Sequence, residues 1–145
     1  MKKLAVALFA ALFTAVLCAG EPPKGWTTDI EAAIAQARRE KKAVLLLFTG
    51  SDWCGFCKQL KSQTLDSSKF RRFAKNNLVP VYFDFPRKDR PDEKQMAIQN
   101  EWAKKFDVKG YPTTVILNGT GRQLTTIVGS MDADRYIQKI KAAIR

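Results

Sequence analysis

The sequence predicts an α/β domain with a central mixed sheet of about four strands, flanked by helices on both faces. One apolar run, residues 43–48, is continuous rather than alternating, which is how a strand covered on both sides reads, and a second strand is expected at residues 78–85. Around them, apolar residues recur at helical spacing, and a turn-rich segment further on carries a hairpin pattern. The order strand, helix, strand, helix, hairpin, helix layers helices against a sheet.

Thr28, with Glu31 three positions later, matches a capping box. Ile30, Ala33, Ile34 and Ala37 then share one face, so the first helix is expected to end near Lys41. Residues 43–48 form the central strand, broken by Thr49, Gly50, Ser51 and Asp52. The stretch from Cys54 to about Leu65 is helical, with Cys57 and Leu60 directed inward. Ser67 or Asp66 caps another short helix, on which Phe70, Phe73 and Ala74 share a face. After the second strand, polar residues 86–93 hold two prolines and read as a surface loop. Ile98, Trp102 and Phe106 predict a helix over residues 94–106. Residues 113–117 and 123–128, joined by Asn118, Gly119, Thr120 and Gly121, form a hairpin. Ala133, Tyr136, Ile137, Ile140 and Ile144 mark a closing helix.

The chain has 145 residues, 46% of them hydrophobic and 27% charged, which fits one domain with its own core and argues against disorder. Residues 1–20 are set apart: Lys2 and Lys3 precede an apolar stretch from Leu4 to Leu17, and Cys18, Ala19 and Gly20 end it before Glu21. That is the pattern of a secretory signal peptide, leaving residues 21–145 as the domain. A lipid-modified Cys18 is the weaker alternative, because Leu17 stands where that processing favours a small residue. The protein is therefore expected to be exported, with the periplasm as its compartment. The formal charge is +11, and loss of Lys2 and Lys3 lowers it to +9. The basic residues are scattered over helical faces, so they read as a solvated surface and no nucleic-acid partner is expected.

Without the leader, two cysteines remain, Cys54 and Cys57, and the sequence has no histidine. A structural zinc site takes four ligands, so neither a metal nor another cofactor is expected. Thiols three positions apart at the start of a helix can close a small, readily reopened disulfide. Cys54 sits where unpaired N–H groups and the helix dipole favour a thiolate, with Lys58 nearby, and is the candidate nucleophile. Cys57, about one turn further in and less exposed, would resolve the mixed disulfide between Cys54 and a substrate. An inert local disulfide is the bland alternative.

Phe48 to Lys58 (FTGSDWCGFCK), Val79 to Pro86 (VPVYFDFP) and Phe106 to Leu117 (FDVKGYPTTVIL) resemble the thioredoxin superfamily, and the likeness runs on to Gly129. This version is similar to exported thioredoxin-like proteins related to the C-terminal domain of membrane thiol:disulfide interchange reductases. The resemblance implies the thioredoxin fold, and a cis Tyr111–Pro112 peptide set against the cysteines. Tyr111, Pro112 and Thr113 would then offer a backbone edge to substrate. Taken alone, Pro112 reads as an ordinary trans proline opening a strand. Trp53 is either core or, beside Cys54, an apolar lip for substrate, and Phe56 joins it as a binding candidate. Phe56 also replaces the proline common between the cysteines of thioredoxins. Apolar Leu47 falls where the family carries a buried acid, so proton transfer must use water or another group. Asp52 is a tuning candidate or a solvated turn residue, and Lys58 is equally a pKa-tuning or a plain surface residue.

These readings converge on an exported, monomeric thiol:disulfide oxidoreductase acting on protein thiols and disulfides, with a membrane or periplasmic electron donor. Reduction is the preferred direction, because the resemblance points to the output end of a reductive relay. The Gly55-Phe56 pair also lacks the histidine often found there in oxidants. The rivals are a redox-inactive binding or chaperone module of the same fold and a lipoprotein electron carrier. Mass analysis of the exported protein should give a chain beginning at Gly20 or Glu21; an acylated Cys18 would select the lipoprotein instead.

Overall fold

The computed structural model describes residues 22–145; the expected signal peptide and Cys18 lie outside them. The elements, in order, are α1 (Ile30–Glu40), β1 (Ala43–Thr49), α2 (Gly55–Leu60), α3 (Ser68–Asn77), β2 (Leu78–Asp84), α4 (Glu93–Lys105), β3 (Thr113–Leu117), β4 (Gln123–Val128) and α5 (Ala133–Ala143). A π-helical turn, Lys61–Leu65, prolongs α2.

The sheet order is β2-β1-β3-β4, with β1 and β2 parallel and the other pairs antiparallel. This is the mixed four-stranded sheet the sequence predicts. All seven residues of β1 are buried, and its side chains alternate between two cores. Leu45 and Leu47 meet Leu60, Phe70, Tyr136 and Ile140, while Val44, Leu46 and Phe48 meet Ile30, Ile34, Ala37 and Trp102. An apolar run without alternation is what such a two-faced strand requires.

Helix α1 begins one residue later than a cap at Thr28 would place it. The Asp29 carboxylate accepts the Ala32 backbone N–H at 2.9 Å, and Thr27 Oγ1 accepts from Asp29 N at 3.1 Å. A carboxylate at this position satisfies an orphan donor and also meets the positive end of the helix. Ser67 caps α3, its hydroxyl accepting from Phe70 N at 3.1 Å.

Two features fix the outer strand, β2. Thr27 forms an isolated parallel bridge with Val81: Thr27 N donates to Pro80 O at 3.1 Å, and Tyr82 N to Thr27 O at 2.8 Å. On α4, Trp102 is buried as the periodicity requires, but buried Gln99 sits beside it. Gln99 Nε2 donates to the Asp84 carbonyl at 2.7 Å, tying the end of β2 to this helix. A polar residue inside an apolar stripe is retained here because its amide has that partner.

Tyr136 is fully buried and edge-on to Phe70, with its hydroxyl 2.6 Å from Thr114 Oγ1. Burial disfavours the phenolate and raises its pKa far above the usual value, with the Thr114 bond opposing in part. The stability tied to its neutral form is complete below about pH 10 and is lost as pH rises further. Tyr136→Phe should lower the unfolding free energy by about 1–2 kcal/mol, because Thr114 loses its partner. It should also flatten the alkaline limb of stability. Urea unfolding followed from neutral to alkaline pH checks both effects.

Candidate active site

The chain leaves the sheet at Gly50, and the backbone groups of the turn that follows organise the cysteines. Gly50 O accepts from Trp53 N at 3.3 Å and from Cys54 N at 2.9 Å, while Gly50 N donates to Cys57 Sγ at 3.5 Å. A Cβ at Gly50 would lie 2.5 Å from Trp53 Cε2, so the indole can occupy this place only over glycine.

Cys54 is the N-cap of α2, its sulfur accepting the Cys57 N–H at 3.2 Å. The two cysteines form a disulfide with Cα atoms 5.2 Å apart. Cys54 Sγ lies 3.6 Å from the Tyr111 carbonyl oxygen, and the Tyr111–Pro112 peptide is cis. The expected contrast in exposure between the cysteines is absent, with Cys54 at 6% and Cys57 at 4%. They differ in surroundings instead. Cys54 faces the helix start and Tyr111, whereas Cys57 faces Gly50 and a small cavity.

Aromatic side chains form a connected group beside the disulfide. Trp53 meets Tyr111 edge-to-face with centroids 5.9 Å apart, and Tyr111 stacks on Phe85 at 5.2 Å. Trp53 Nε1 donates to the Phe85 carbonyl at 2.8 Å, and the Arg87 guanidinium lies 4.9 Å from the indole centroid. Trp53 is 39% exposed and Phe56 66%, so both present apolar surface next to Cys54. Burial raises the pKa of the Tyr111 hydroxyl. Thr113 is buried and donates its hydroxyl to Gly110 O at 2.8 Å, while its strand pairs with β1 on one side and β4 on the other.

Lys58 is exposed, and its charge helps favour the ionised form of Asp52. Asp52 is an anchor for the loop after β2 rather than a free turn residue. Its carboxylate accepts from Arg87 N at 3.0 Å and from Lys88 N at 2.9 Å. Phe85, Arg87 and Asp84 were not singled out from sequence. Asp84 is buried and accepts from Ser51 N at 2.9 Å and from Ser51 Oγ. The FDFP segment was the available signal, but it does not say that its acid reaches Ser51.

The N–H groups of Lys88 and Arg87 hold the Asp52 carboxyl below its usual range. The anchorage it gives is thus complete above about pH 4 and is lost as pH falls through the lowered value. Trp53 emission, isolated by difference against Trp53→Phe, should shift in acid before global unfolding. Asp52→Ala should show that shift already at neutral pH; a neutral spectrum like wild type would remove the anchoring role.

Residues 30–144 match the family of thioredoxin-like domains. The chain is 33% identical over 121 residues to the disulfide bond reductase DsbH of Chlamydia pneumoniae, covering 83% of this chain and 72% of that protein. A solved structure of a DsbH oxidoreductase superposes with a TM-score of 0.73 at 30% identity, covering 86% of this chain and 90% of that one. The thiol:disulfide interchange protein DsbD of Yersinia pestis is 29% identical over 78% of this chain, which spans 18% of that protein's length. With its two cysteines at the head of α2 and a cis proline beside them, the chain belongs to the thioredoxin-like domain family and is a thiol:disulfide oxidoreductase.

Proposed function

We propose that the protein is an exported disulfide reductase whose Cys54–Cys57 pair passes two electrons to protein disulfides. The observation that carries this is the setting of Cys54: at the N-cap its sulfur already accepts a backbone N–H, an arrangement that favours thiolate over thiol. The likeness to a disulfide bond reductase supports the direction, and the charged-then-apolar pattern of residues 1–20 supports export. Among the described residues no helix is long and apolar enough to cross a membrane.

In the reducing direction, the Cys54 thiolate attacks one sulfur of the substrate disulfide and forms a mixed disulfide, and the other substrate sulfur leaves. Cys57 then attacks Cys54, closing the intramolecular bond and releasing the second substrate thiol. The enzyme is left oxidised until a membrane-bound or periplasmic dithiol restores it. Trp53 and Phe56 give the approaching chain an apolar contact, and Tyr111 and Pro112 give it a backbone edge beside the nucleophile. Thr113, buried below them, holds that edge through Gly110.

Reduced protein should accelerate insulin reduction by dithiothreitol, and Cys54→Ser should abolish the acceleration. Equal rates would favour a binding module. In equilibrium with glutathione the cysteine pair should have a potential near thioredoxin's, about −270 mV; a value near about −120 mV would reverse the direction.

A further inference from the structure

Resolution makes a demand on Cys57 that the start of α2 does not meet. Before it attacks Cys54 it must lose its proton, yet Leu47, beside it on β1, is apolar and buried. Apolar surroundings favour the neutral thiol. The available polar groups come from the Gly50 turn and from the end of β2. A cavity of about 50 Å³ brings Cys57 together with Leu47, Thr49, Ser51 and Tyr82. A water needs roughly 10–15 Å³ and a few polar partners, so this space accommodates water in contact with Cys57. Ser51 also lines the adjoining open groove of about 750 Å³, together with Asp84.

We propose that Asp84, acting through Ser51 Oγ and cavity water, accepts the proton of Cys57 during resolution. This rests on the oxidoreductase reading. The Cys57 thiol gives its proton to water, water gives one to Ser51 Oγ, and Ser51 passes its hydroxyl proton to the Asp84 carboxylate. The Cys57 thiolate then attacks Cys54 Sγ. The Cys54–Cys57 bond forms, the bond from Cys54 to the substrate sulfur breaks, and its electron pair leaves on that sulfur. The leaving thiolate takes up a proton from Asp84 or from solvent. Cys54 and Cys57 together lose two electrons, and the substrate disulfide gains them.

The other charged groups around the path do not compete for this role. Lys58 and Lys61 line the inner cavity from the α2 side and Lys24 lines the groove from the N-terminal segment, while Arg71 and Lys75 line it from α3. All five are cations. Of the other acids, Asp66 lines the inner cavity at its α2 side but is bridged to Lys61 at 2.6 Å, and Asp52 is committed to Lys88 and Arg87. Tyr82 shares the cavity with its hydroxyl pushed up to about 12 by burial and by the charge of Asp84, with Ser51 opposing; it stays neutral at working pH. Asp84 is the carboxylate that Ser51 meets directly. Because it acts through Ser51, it is a positioning residue for the proton path.

Asp84→Asn and Ser51→Ala, each reduced and mixed rapidly with a peptide disulfide, separate this role from a structural one. Acid quenching and mass analysis follow the mixed disulfide, and alkylation of Cys54 reports its readiness to attack. Both variants should alkylate like wild type yet keep the mixed disulfide ~100-fold longer at neutral pH, the lower end of what proton transfer contributes. The gap should narrow as pH rises beyond the ordinary thiol value of about 8.5, where hydroxide increasingly removes the proton without the relay. Unchanged decay, or slowing by the same factor at every pH, would overturn the proposal, the second outcome leaving Asp84 as a brace for the turn. Failure of the oxidoreductase reading would show in wild type, as no mixed disulfide at all; failure of the relay shows only in the variants.

Discussion

Because Ala43–Thr49 is buried along its whole length, the chain must leave the sheet at Gly50 without stranding backbone polar groups. The groups nearest the strand end have protein partners. Thr49 O takes the Phe85 N–H at 2.8 Å, Gly50 O takes those of Trp53 and Cys54, and Ser51 N goes to Asp84. The remaining donor, Gly50 N, goes to a cysteine sulfur. The redox pair is therefore held by the same bonds that allow a fully buried strand to end. Its geometry depends on the strand's burial as much as on the cysteine spacing.

Nearly equal burial of the two sulfurs shifts the explanation of their different roles from access to chemistry. Cys54 accepts an N–H at a helix start, where a negative sulfur is favoured, and faces the Tyr111 carbonyl. Cys57 accepts a longer bond from Gly50 and borders a space with hydroxyl groups. One site stabilises charge in place, and the other needs a route by which charge can be made. The aromatic group of Trp53, Tyr111 and Phe85 encloses the first site, and the loop anchored by Asp52 supports it from behind through Arg87.

Most of the architecture was legible because it rests on periodicity. The unbroken run at β1, the four-residue spacing on α4 and the Asn118–Gly121 turn each have one local reading, and residues 54 and 57 carry their chemistry in their spacing. What escaped was tertiary. Asp84 and Ser51 are 33 positions apart, and nothing near either names the other. Gln99 sits within an apolar stripe, and its use appears only when the end of β2 lies against it. The cap at Asp29 was missed because Thr28 and Glu31 fit a recognised pattern while Asp29 is the stronger acceptor in place. The π turn after α2 leaves no compositional trace; it accompanies buried Thr64, whose hydroxyl donates to the Met131 carbonyl.

The short bridge from Thr27 to β2 has a consequence for how the molecule meets other chains. It occupies the outer edge of β2 at Val81, where Pro80 already lacks an N–H to offer. Among the described residues β4 alone keeps a full unpaired edge, at the far side of the sheet from β2. An open strand edge is a template for unwanted pairing with extended peptide. With the middle of β2 bridged, the longest open edge is that of β4, two strands away from β1 and the cysteines that follow it.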